Sequence, residues 1–313
     1  MRTSKIALTV GALLTSLALA ACGSSGSGSN PFATDSSSSS SAAGGGSISI
    51  GSADFPESAL LAEIYAGALK AKGVTVNEPL RLNIGSRETY IPALKDGSID
   101  LIPEYTGVLT QYFNKNAKAT DAEGVYTELK ASLPDTLTVL DKSAAEDKDA
   151  VVVTKETAAK YSLKSISDLA GKSQKLTLGG PPEWKTRPTG VPGLKKVYGL
   201  TFKQFRALDA GGPLSVNALK NGQVDAANLF TTDPNIVTNG FVVLDDPKHL
   251  FAAQNVVPLI TKAKVTPDIE GALNAVSAKL DTSTLAALLK EVVTDKKDPQ
   301  TVAKEFLSKN GLG

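Results

Sequence analysis

Two aromatic residues stand at matched places in an internal repeat, and they are the first candidates for binding chemistry. Ala93-Leu94-Lys95-Asp96-Gly97-Ser98-Ile99-Asp100 is echoed by Ala218-Leu219-Lys220-Asn221-Gly222-Gln223-Val224-Asp225. In each copy a helix end, a Gly C-cap, a β-branched residue and an Asp lead into a strand. Tyr105 follows the first Asp by five residues and Phe230 follows the second by five; Thr106 and Thr231 come next. Ligands of open α/β sheets bind beyond the carboxyl ends of the strands, where this spacing delivers both rings. Gly51-Ser52, Gly85-Ser86 and Gly179-Gly180 also follow expected strands. Glycine there admits a ligand to backbone N–H groups, and helix N-termini favour an anionic group.

The sequence offers little material for catalysis. It holds one cysteine, Cys22, and one histidine, His249, so a Cys/His pair, a Ser-His-Asp triad or a multi-His zinc site would have to be built on one imidazole and one thiol, and the thiol is needed elsewhere. His249 lies beside Asp245, Asp246 and Lys248 in an apparent surface loop. Ala170-Gly171-Lys172-Ser173 has the ending of a phosphate-binding loop, but Ile166 stands where that pattern needs Gly. Glu104 and Asp233 flank the two aromatics and are the remaining pair, suited to glycoside hydrolysis; Asp233 also reads as a helix cap. We expect no catalytic residue, no metal and no cofactor. The 33 Lys+Arg against 32 Asp+Glu give no basic excess for a nucleic-acid surface.

The chain opens with a basic segment, Met1 to Lys5, and an apolar one, Ile6 to Ala18, then Leu19-Ala20-Ala21-Cys22. The apolar run has signal-peptide length and is short for a membrane span. Leu-Ala-Ala-Cys resembles a bacterial lipobox, so residues 1–21 are expected to be a lipoprotein signal peptide and Cys22 the lipidated residue. Residues 22–47 are dominated by Gly, Ser, Ala and Thr and read as a flexible tether. The folded part would thus sit outside the cytoplasm. Within it, strands are expected at Ser47–Gly51, Leu80–Ile84 and Ile99–Ile102, and helices at Glu57–Lys70 and Glu88–Lys95. The alternation recurs from Ala150 to Leu244 and predicts an α/β fold with mostly parallel sheets; the tail from Thr266 to Leu312 reads as helical.

Three segments are more specific: Gly51-Ser52-Ala53-Asp54-Phe55, Pro103-Glu104-Tyr105-Thr106-Gly107 and Arg187-Pro188-Thr189-Gly190-Val191-Pro192-Gly193-Leu194. With Lys196 to Leu200 and Thr231-Thr232-Asp233, they resemble the substrate-binding proteins of glycine betaine/choline/carnitine osmoprotectant ABC importers. The resemblance covers about residues 48–312. It implies a two-lobed type II periplasmic-binding-protein fold with two hinge crossings, near Asp149 and Gln254. Residues 48–149 and 254–313 would form lobe 1, and 150–253 lobe 2. It also implies a quaternary ammonium held in an aromatic cage by cation–π attraction and a carboxylate held by an arginine.

Tyr105 and Phe230 match cage positions and Arg187 matches the carboxylate-binding arginine. Ser52, Asp54, Phe55, Ser86, Glu104 and Thr231 are expected around them. Ala53 and Val108 differ from the residues many relatives carry. Two further cage positions fall on Ala150 and Gln254, so a four-ring cage is incomplete and the pocket should be wider, with Trp184 available to stack on the solute. The implied partners are a small solute, a permease with its ATPase, and the membrane through the Cys22 lipid; the protein is expected to be a monomer. A bulkier aromatic or polyhydroxylated solute, or a sensor role, stays open, and a hydrolase using Glu104 is the third alternative.

Overall fold

A computed structural model describes residues 46–313; the expected signal peptide, Cys22 and the expected tether up to residue 45 lie outside the described residues. In chain order the first lobe begins with α1 (Pro56–Ala71), α2 (Arg87–Lys95), β1 (Leu101–Tyr105), α3 (Thr106–Phe113), α4 (Ala122–Ser132) and β2 (Leu137–Val139). The second lobe follows as β3 (Asp149–Val153), α5 (Lys155–Tyr161), β4 (Thr177–Gly180), α6 (Val191–Tyr198), β5 (Gln204–Ala207), α7 (Pro213–Lys220), β6 (Ala226–Phe230), α8 (Pro234–Asn239) and β7 (Val242–Val243). The chain then returns to the first lobe through β8 (Val256–Thr261), α9 (Pro267–Ser277), α10 (Thr282–Val293) and α11 (Pro299–Lys309).

Two sheets organise these elements, one in the order β1-β8-β2 and one in the order β5-β4-β6-β3-β7. Helices cover both faces of each sheet, which is the α/β architecture that the alternation predicts. Strand β3 shows the reason at residue level. Val151 and Val153 join one apolar cluster with Leu178, Trp184 and Leu194, while Ala150 and Val152 join another with Leu219, Ala227 and Leu229. Side chains alternate across a strand, so a strand apolar at every position must be covered on both faces. In the first lobe α1 is buried along most of its length, against a cluster that includes Ile48, Ile50, Leu273 and Phe306.

The expectation of mostly parallel sheets needs a correction. The β4–β5 and β4–β6 ladders are parallel, but β1–β8, β2–β8, β3–β6 and β3–β7 are antiparallel. All four antiparallel ladders involve β3 or β8, the strands by which the chain enters the second lobe and leaves it. A strand made in a βαβ unit ends at the cleft, whereas a strand that has just crossed between lobes starts there. Asp149, the first residue of β3, therefore faces Phe230, the last of β6, and Val256, the first of β8, faces Tyr105, the last of β1. The crossing segments also pair with each other: the Asp147 N–H donates to Gln254 O at 3.1 Å, and Glu146 and Asn255 form an antiparallel bridge. The expected strands near Ser47–Gly51 and Leu80–Ile84 form only isolated parallel bridges, such as Ile48 with Val76 and Gly51 with Arg81.

The internal repeat is a structural one. Gly97 and Gly222 follow α2 and α7 with φ of +80° and +65°, the left-handed conformation that glycine adopts without penalty. Asp100 accepts a hydrogen bond from the Ser49 N–H, and Asp225 accepts one from the Thr177 N–H, each at 2.8 Å. Each Asp ties the strand it precedes to a neighbouring segment, and each strand ends in its aromatic.

Candidate functional site

A cavity of about 390 Å³ lies between the lobes. Strand β1 brings Tyr105 to it and β6 brings Phe230. Phe55, at the N-cap of α1, supplies a third ring, and the start of α2 supplies Ser86 and Arg87. Trp184 and Arg187 come from the segment between β4 and α6. The glycines of the sequence motifs hold these segments in place. A Cβ on Gly190 would fall 1.9 Å from Trp184 O, and one on Gly193 would fall 2.0 Å from Pro188 O, so α6 can pack on the 181–188 segment only with glycine at both places. A Cβ on Gly107 would fall 2.6 Å from Ala253 O, where α3 meets the returning crossing.

The three rings form one wall. Phe55 lies 6.0 Å from Tyr105 and 5.3 Å from Phe230 between ring centroids, with interplanar angles of 36° and 30°. The same cavity is lined by the acidic residues Asp54, Asp147, Asp149, Glu183 and Asp209 and by two arginines, Arg87 and Arg187. Burial pushes the Asp149 carboxyl up, against the pull of the Asn228 amide, whose Nδ2 donates to it at 2.8 Å, and of the two arginines. Burial also lifts Asp147 well above the usual carboxylate range, and the nearby Glu57 charge adds to this. The Oδ1 of fully buried Asn228, a cavity residue, has no hydrogen-bond partner among the described residues. Aromatic faces beside buried carboxyls, which a neighbouring positive charge would draw into the ionised form, make a site for a cation.

Both arginines are already paired. Arg87 donates from Nε to Glu104 Oε1 at 2.6 Å and from Nη2 to Oε2 at 2.8 Å; Glu104 also accepts from the Tyr90 hydroxyl and the Tyr105 N–H. Burial works against the Arg87 charge, but Glu104 more than reverses this and holds the guanidinium protonated. Arg187, in the second lobe, donates to both oxygens of Glu88, in the first, at 3.2 and 2.8 Å.

Among the residues expected from sequence, Asp54, Phe55, Ser86, Tyr105, Val108, Trp184, Arg187, Phe230 and Gln254 line the cavity, and Ser52, Glu104, Thr231 and Ala150 do not. Ser52 is fully buried, its Oγ accepting from the Asn83 N–H. Glu104 lies behind Arg87 as its counter-ion. Thr231 is exposed, and its Oγ1 accepts from the Lys148 N–H. Ala150 points into the core on the far face of β3. Trp184 touches the cavity but is almost wholly buried, stacked on Phe251 at 6.2 Å. Asp233 caps α8 by accepting from the Asn235 N–H. Sequence reasoning missed Arg87, Tyr90, Asp147, Asp149 and Asn228. The one available signal was the acidic Asp147-Lys148-Asp149 run at a crossing.

Residues 46–309 match the family described as the substrate binding domain of ABC-type glycine betaine transport systems. The chain belongs to this family. Being such a substrate-binding domain, it shares the family's two lobes and its place in solute import. A glycine-betaine-binding protein of Pseudomonas aeruginosa is 29% identical over 280 residues, covering 85% of this chain and 88% of that protein. A carnitine transport binding protein of Listeria monocytogenes is 29% identical over 235 residues, covering 73% and 75%. Among solved structures, a glycine betaine/carnitine/choline ABC transporter protein superimposes with a TM-score of 0.66 at 28% identity, covering 85% of this chain and 99% of that one. Substrate-binding proteins of this kind act outside the cytoplasm, with a permease and an ATPase. Among the described residues no helix is long and apolar enough to cross a membrane.

Proposed function

We propose that this protein captures a small quaternary-ammonium solute between its lobes and delivers it unchanged to an ABC permease. The observation that carries the reading is the wall of Phe55, Tyr105 and Phe230 in a cavity shared with the buried carboxylates of Asp147 and Asp149. Ring faces attract a methylated ammonium that no hydrogen-bond acceptor can grip, and its charge favours ionisation of the neighbouring carboxyls that burial otherwise raises. Relatives named for glycine betaine and carnitine support the same solute class. Residues 48–149 with 254–313, and 150–253, are the bodies that close on the solute about the paired crossings. The lipid on Cys22 and the tether after it keep a monomeric receptor within reach of its permease.

Binding without turnover is supported by the state of the two carboxylates considered for hydrolysis. Glu104 is committed to Arg87, Tyr90 and the Tyr105 N–H, and Asp233 caps a helix. The test is calorimetric titration of the mature protein with glycine betaine, choline and carnitine. We expect saturable binding of at least one, a change in the fluorescence of Trp184, the chain's single tryptophan, and recovery of the solute intact by NMR. No heat with any of the three, or a chemically altered solute, would refute the reading.

A further inference from the structure

Resting on that reading, we propose that Glu88 is a specificity-determining residue: it holds the guanidinium fork that a solute carboxylate would need, so the cleft selects cations without a carboxylate over zwitterions. Arg187 is 20% exposed and lies on the cavity wall, where a bidentate carboxylate partner would be expected to come from the solute. Glu88 takes that place from the opposite lobe, 99 residues away in sequence, accepting on both oxygens. Glu183 adds a second acidic neighbour at 3.6 Å.

The carboxylate of Glu88 is built into position. It sits in the first turn of α2, and the Ser86 hydroxyl donates to its Oε2 at 2.7 Å. Partial burial raises this carboxyl, but the hydrogen bonds from Arg187 and Ser86 more than reverse that and hold it at about 2. The other cavity arginine has its Nε–Nη2 edge taken in the same way, by Glu104 from behind. A zwitterion entering the cleft would therefore exchange one carboxylate on Arg187 for another and gain little from its own. A cation bearing a hydroxyl meets no such exchange, and Asp149 on the cavity wall can accept its hydrogen bond. With a cation bound, the Glu88–Arg187 bridge also stays in place across the lobes.

The test is a set of dissociation constants for glycine betaine and choline on the mature wild-type chain and its Glu88→Gln, Glu88→Ala, Arg187→Ala and Glu88→Gln/Arg187→Ala variants. Both Glu88 variants should bind glycine betaine tighter by roughly three- to sixfold, the worth of a half-exposed ion pair, while choline binding stays level or weakens. The glycine betaine gain should vanish when Arg187 is also removed. An unchanged betaine-to-choline ratio in both Glu88 variants would overturn the inference, as would a gain that survives without Arg187, since that would be a diffuse charge effect. If both solutes bind and the ratio is fixed, only the role of Glu88 falls; if neither binds any variant, the solute class falls and the selectivity with it.

Discussion

Phe55, from the first lobe, sits between Tyr105 of the same lobe and Phe230 of the other and so joins the two lobes' contributions to the wall. Its value to an ammonium is electrostatic, from the negative face of the ring, whereas its value to the fold is apolar area. Phe55→Leu separates the two, keeping a side chain of similar bulk without the quadrupole. Affinity for a bound ammonium should fall by about 0.5–2 kcal/mol, roughly twofold to thirtyfold, with little change in thermal midpoint. Equal affinity in calorimetry would take the ring out of the site. Tyr105 differs, because its hydroxyl donates to Glu57 Oε1 at 2.7 Å and its proton points away from the solute into a buried network. Tyr105→Phe keeps the ring face, so the same titration should show binding within about twofold of wild type, the ring's cation–π share being preserved.

Helix α2 is fastened to strand β1 by a buried ion pair, and that fastening places both Arg87 and Glu88 at the cleft. Arg87 and Glu104 are 8% and 0% exposed. Removing one charge of such a pair strands the other, so Glu104→Gln should destabilise the protein by about 3–5 kcal/mol, seen as a thermal midpoint lower by roughly ten degrees. An unmoved midpoint would mean that Arg87 has found another counter-ion. What the sequence discloses at this scale is what is locally encoded. The helix–Gly–Asp–strand repeat could be read because its glycines and aspartates act within a few residues of their own position, and α1 could be read because apolar spacing along a helix is likewise local. The direction of β3 and β8 could not, since a strand's own residues do not record from which lobe it arrives. Nor could the Arg187–Glu88 bridge or the carboxylates of Asp147 and Asp149, whose partners are set by two lobes meeting across long sequence separations.

Across the whole molecule, the lobes also meet through groups that would cost free energy to bury if ionised together. Glu57 of the first lobe accepts from Thr232 Oγ1 of the second at 2.6 Å, and Asp147 on the crossing accepts from the Thr232 N–H at 3.0 Å. Burial raises Glu57, although the Thr232 and Tyr105 hydrogen bonds work the other way, and Asp147 is raised further. A carboxyl raised on folding contributes stability that is complete below its ordinary value and is lost as pH rises through the raised one. Glu88, held at about 2, has the opposite sign: its contribution is present above the ordinary carboxylate range and is lost as pH falls through about 2. The thermal midpoint should therefore rise as pH is lowered from about 8 to about 5, then fall in stronger acid, where Glu88 and other paired carboxylates are protonated. Glu57→Gln, which mimics the protonated acid and keeps an acceptor for Thr232, should flatten the limb between pH 8 and 5 and leave the acid limb intact. A wild-type midpoint that is level or falling over that limb, or an unchanged profile in the variant, would show that the lobes close on ionised carboxylates, and the polar seam beside the cavity would then have to be neutralised by the solute's own charge.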